Sequence, residues 1–179
     1  MTTEPHSSNI LLPSKLQAEF LVSWGAEYLD AVFEGEETPW FLEIDLDVFL
    51  HTKSNQDVVG QLGGFYHREG YQRVARAHYS RCSAEVHLLD AWLESRVASA
   101  SRFDCTGFPS ATITSHPWLR LGFALFGVAG HAGGAPLDWL AENSPSNYTA
   151  HCAWIRAVAQ RRAALGVPCG YEVEREYRR

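Results

Sequence analysis

Apolar and polar residues alternate most strictly between Pro39 and His51, PWFLEIDLDVFLH. Leu42, Ile44, Leu46 and Val48 fall on one side of an extended chain, and Glu43, Asp45 and Asp47 on the other. A period of two predicts a half-buried β-strand. Elsewhere the clear periods are helical. Ser14 to Gln17 has the form of a capping box just after Pro13. It opens a helix with the apolar stripe Leu16, Phe20, Trp24, Leu29 and Val32/Phe33, which Gly35 stops. The polar turn Thr52 to Asp57 follows the strand. Val58 to Tyr66, with Gly60, Gly63 and Gly64, reads either as a second strand with a bulge or as a short loop-bound segment.

From Tyr71 to Ser99 the pattern is helical again. Val86, Leu89, Leu93 and Val97 recur at three and four residues, and Ser80 or Ser83 is the place for a break. Ser99 to Ser115 is a loop. Pro117 opens a buried helix from Trp118 to Gly130, for which a strand pair is the alternative. Pro136 opens a short helix to Asn143, and Tyr148 to Leu165 forms the last long helix, closed by Gly166 and Pro168. The expected fold class is therefore α+β, a predominantly helical single domain over residues 14–170. A small sheet is expected around the 39–51 strand, with a flexible arm over 1–13 and a charged tail over 171–179.

Composition adds a charge asymmetry. The chain of 179 residues has net charge −6, and residues 1–57 carry eleven acidic side chains against Lys15 and Lys53. The rest of the chain carries thirteen Arg against ten acidic residues. Such polarity orients a protein on a charged partner, or draws its own halves together. The acidic total makes nucleic acid an unlikely partner. The longest apolar run is too short to span a bilayer and is interrupted by Arg120. A polar opening sequence and four widely spaced cysteines suggest free thiols in the cytoplasm.

Candidate chemistry is sparse. Asp45 and Asp47 lie two apart, the spacing of a D-x-D magnesium strand, but a solvated acidic sheet face is the simpler reading. His78, Cys82 and Glu85 would share one face of an unbroken helix as zinc-type ligands, against a plain reading as helix surface. The string Asp104-Cys-Thr-Gly-Phe108 resembles the nucleophile segment of the NlpC/P60 cell-wall peptidases. That resemblance implies Cys105 as nucleophile and His131 as its base. Pro109, in a position where that family continues a helix, departs from the pattern.

No catalytic set closes, so the expected function is a non-enzymatic protein-binding domain: an inhibitor or immunity-type protein, an adaptor or an assembly subunit. Its binding residues are expected to be acidic Glu43, Asp45 and Asp47 and basic Arg156, Arg161 and Arg162. The partner is another protein or a second copy of the chain, with no cofactor, no metal and no membrane. The alternative is a cysteine hydrolase on Cys105 and His131.

Overall fold

The computed structural model of the protein describes residues 15–51, 53, 55–100 and 145–169. These form five α-helices: α1 Lys15–Val32, α2 Val58–Leu62, α3 His67–Tyr79, α4 Ser83–Ala100 and α5 Pro145–Ala164. One 3-10 turn, Trp40–Leu42, lies between α1 and α2. The expected arm over 1–13, the elements between residues 101 and 144, and the tail over 171–179 lie outside the described residues.

The first long helix buries Val22, Ala26, Tyr28, Leu29 and Val32, and Phe33 is buried just past its end, while Phe20, expected on its stripe, is exposed. α1 packs most extensively on α5, which buries Ala150, Ala153, Trp154, Ala157 and Val158. Trp154 meets Trp40 edge to face, with ring centres 6.3 Å apart. α5 ends as the sequence predicts. Gly166 adopts φ +70°, its N–H bonds to the Ala163 carbonyl, and the Val167 N–H bonds to the Arg162 carbonyl, which together form a Schellman closure.

The expected sheet is absent. Among the described residues there is no strand, so the fold is all-helical rather than α+β over this part of the chain. Pro39 to His51 instead runs as the 3-10 turn followed by irregular chain. Its buried side chains are Trp40, Ile44, Phe49 and His51, not an alternating set, and Val48 is exposed. Helix side chains take the backbone groups that a strand would give to a neighbour. Gln61 of α2 accepts from the Asp45 N–H at 2.6 Å and donates to the Asp45 carbonyl at 3.1 Å. Arg162 of α5 donates to the carbonyls of Phe41 and Ile44. Asp45 also accepts from the Asp47 N–H at 3.0 Å, a local turn that competes with extended pairing.

Residues 58–66, open between strand and loop in the sequence, form α2 and a tight corner into α3. Asp57 caps α2 by accepting from the Gly60 N–H at 2.7 Å. The Phe65 N–H bonds to Gly60 and the Gly64 N–H to Gln61, a second Schellman closure, with Gly64 at φ +63° and Phe65 at φ +69°. α2 and α3 then touch through glycine, because a Cβ on Gly70 would overlap the Val59 carbonyl oxygen. The break expected at Ser80 or Ser83 falls at Ser80–Cys82, between α3 and α4.

Candidate functional site

The charges that the sequence offers for binding are largely joined to one another. Arg73 of α3 grips Glu43 through both guanidinium nitrogens, at 2.6 and 2.7 Å, and reaches Glu36 at 3.0 Å. It also lies over the Phe33 ring at 5.1 Å. The bond from Glu43 above all, helped by Glu36, holds the Arg73 proton more firmly than usual. Arg156 pairs with Glu19 at 2.8 Å. Arg161 chelates Asp30 and lies over the Trp40 ring at 5.6 Å, while the Trp40 indole N–H donates to the same carboxylate at 2.9 Å. Arg162 holds backbone carbonyls of the 39–51 segment, as described. Of the six expected binding residues, Asp45 and Asp47 keep exposed carboxylates, and Glu43, Arg156, Arg161 and Arg162 are engaged within the chain.

Two buried clusters contain titratable groups. Tyr28 of α1 hydrogen-bonds His78 Nδ1 of α3 at 2.9 Å, and His78 Nε2 faces Asp90 of α4 at 3.4 Å. With its proton on Nε2, neutral His78 accepts the Tyr28 hydroxyl proton at Nδ1 and turns Nε2 towards Asp90 without closing a hydrogen bond to it. Burial lowers the His78 pKa while Asp90 pulls it back, and burial raises that of Tyr28. A Tyr-His-Asp chain resembles catalytic relays, but the Tyr28 hydroxyl is sealed from solvent and cannot meet a substrate. Its role is to tie three helices together. Trp92 of α4 stacks on Tyr28 in the same cluster, at 6.4 Å.

His51 is 3% exposed, and its Nδ1 has no hydrogen-bond partner among the described residues. Burial, reinforced by the charge His151 would carry on α5, lowers its pKa to about 4. Phe49 stacks flat on His151, with ring centres 5.2 Å apart. Asp57 is buried as a helix cap, and burial raises its pKa against the opposing pull of its backbone hydrogen bonds.

The zinc-type set does not assemble. The Ser80–Cys82 break puts His78 in the core and Cys82 and Glu85 on the surface, each on a different helix or linker. Among the described residues no three His, Cys, Asp or Glu side chains gather to hold a metal. Cys105 and His131 lie outside the described residues.

The feature that sequence reasoning missed is on α3. At about 100° per residue, Gly70, Tyr71, Val74, Ala75 and His78 point inward, and Arg68, Gln72, Arg76 and Tyr79 point outward. The side chains of Arg68 and Arg76 make no ion pair or hydrogen bond among the described residues, whereas those of Arg73, Arg81, Arg156, Arg161 and Arg162 are engaged. The preceding corner exposes Phe65 and Tyr66, the latter at 71%, and Tyr79 stands half exposed at the other end. Glu69 borders this face. The signal was present as the exposed positions of a strongly two-faced helix, but the turn that sets its start had to be known first.

Comparison with known proteins finds no family model, no characterised protein and no solved structure that matches this chain. Among the described residues no helix is long and apolar enough to cross a membrane.

Proposed function

We propose that the protein is a non-enzymatic protein-binding domain whose contact surface is the outer face of α3. The observation that supports this reading is the pair Arg68 and Arg76, whose side chains meet no partner among the described residues while Arg73, Arg81, Arg156, Arg161 and Arg162 are engaged, set between exposed aromatics. Arg and Tyr are the residues enriched where binding energy concentrates at protein interfaces. The oppositely charged halves serve a different purpose: they hold the fold together through Glu19–Arg156, Asp30–Arg161 and Glu43–Arg73. The free thiols Cys82, Cys152 and Cys169 suit a reducing, cytoplasmic compartment, and no cofactor is invoked.

Native mass spectrometry of protein purified gently from its source tests this reading. The expected result is a stoichiometric complex with another protein. A bare monomer, together with a Cys105 that alkylates faster at neutral pH than Cys82, Cys152 and Cys169, would replace it with the cysteine-hydrolase alternative.

A further inference from the structure

We infer that the outer face of α3 docks an acidic segment of a partner protein, with two carboxylates about 12 Å apart along the helix axis and apolar residues at its ends. This rests on the protein-binding reading and names the chemistry of the partner at that same surface. Arg68 and Arg76 are eight residues apart, which on a helix rising 1.5 Å per residue places them about 12 Å apart along the axis. Their directions differ by about 80° around that axis, and Gln72 and Tyr79 fall between them. Phe65 and Tyr66 lie at the helix start and Tyr79 at its end, so the cationic pair is bracketed by aromatic surface.

Charge complementarity selects the occupant. A guanidinium fork binds a carboxylate in two parallel hydrogen bonds, and neither of these forks has a carboxylate among the described residues. The net charge of −6 disfavours a long, densely charged polyanion such as a nucleic-acid backbone more than a short segment that brings two carboxylates. The strip is also held rigid. The α2–α3 corner is fixed by glycine contacts that admit no Cβ at Gly63 or Gly70. Phe65 sits at φ +69°, a conformation that bulky side chains rarely adopt. Backbone outliers of this kind cluster at active sites, ligand clamps and switch regions.

The test is fluorescence anisotropy with a labelled peptide of repeated Glu-Glu-Phe units, its Gln-Gln-Phe counterpart, and an oligothymidylate of equal charge. The Glu peptide is expected to bind at least about tenfold more tightly than the Gln peptide, to weaken as salt rises, and to be lost on the double variant R68E/R76E. The variant K53E serves as the charge control and keeps the binding. Both arginines are exposed, so R68E/R76E is expected to unfold at the wild-type temperature. Absent or equal binding of the two peptides, binding unchanged by R68E/R76E, or tighter binding of the oligothymidylate would each overturn the inference. So would a self-association of the wild type that R68E/R76E abolishes, because the occupant would then be a second copy. A natural complex that survives R68E/R76E defeats this inference alone, whereas a wild-type protein with no protein partner defeats the reading beneath it.

Discussion

Replacing Gly70 with Ala is expected to lower the unfolding free energy by about 3 kcal/mol or more, at the upper end of what overpacking a buried site costs. The added Cβ would overlap the Val59 carbonyl oxygen and stand 2.7 Å from the Val59 carbonyl carbon and 2.9 Å from its Cγ1. Two of these three atoms belong to the backbone, so no rotamer change relieves the contact. Helix α2 would have to lift away from α3. That movement would pull Gln61 from the backbone of Asp45 and loosen the 39–51 segment, at a distance from the substitution. Ala is ordinarily better than Gly inside a helix by about 1 kcal/mol, which makes the sign of the effect informative. Urea unfolding of the Gly70→Ala variant checks it, and a neutral or stabilising result would mean that α2 and α3 are not in this contact.

The second large effect is acid destabilisation through His51. An unfolded histidine takes up a proton near pH 6.5, whereas buried His51 resists until about pH 4. Below pH 6.5 the unfolded chain therefore binds a proton that the folded chain does not, and stability falls as pH falls. The full contribution is present above pH 6.5, and the loss is complete near pH 4, at about 3 kcal/mol. His78, also lowered by burial, acts in the same direction, while Asp57, raised by burial, acts against it. The difference between the wild type and the variant His51→Gln isolates the single group. Chemical unfolding between pH 7 and pH 4.5 is expected to show a steeper loss for the wild type. Parallel curves would show that His51 is exposed to solvent or paired.

The three pH-sensitive groups and the glycine contact also indicate what the sequence made legible. Helices α1, α4 and α5 stand where the sequence predicts helices, although Phe20 of the α1 stripe is exposed and Val86 and Leu89 of the α4 stripe are only half-buried, and Gly35 and Gly166 follow α1 and α5 at positive φ as their positions predict. The 39–51 segment misleads for a physical reason. Alternation shows that one side of the segment is apolar, but it does not show that another strand is available to accept its hydrogen bonds. Here Gln61 and Arg162 are the acceptors and donors, and neither residue signals that role by its sequence neighbourhood. Val58 to Tyr66 was ambiguous because its glycines fit a bulge as well as a helix corner. What decides the matter is the approach of Gly70 to Val59, a tertiary contact eleven residues away.

The candidate site was legible only in part. The charge asymmetry was visible in the sequence, including the option that the halves attract one another. Composition could not divide the arginines into those that face inward and those that face outward. Arg73, Arg68 and Arg76 lie within one helix and look alike in a list. Only the helix phase separates Arg73, which meets Glu36 and Glu43, from the two that meet nothing in the described chain.

That division of arginines is the central claim, and urea unfolding of two single variants, Arg162→Gln and Arg76→Gln, tests it most directly. Arg162 makes two charge-assisted bonds to the carbonyls of Phe41 and Ile44. Its loss is expected to cost about 2 kcal/mol, while the loss of outward-facing Arg76 leaves stability within about 0.5 kcal/mol of the wild type. A large loss at Arg76, or none at Arg162, would contradict the account: it would show that the arginine assigned to a partner belongs to the fold, or that the one assigned to the fold does not hold it.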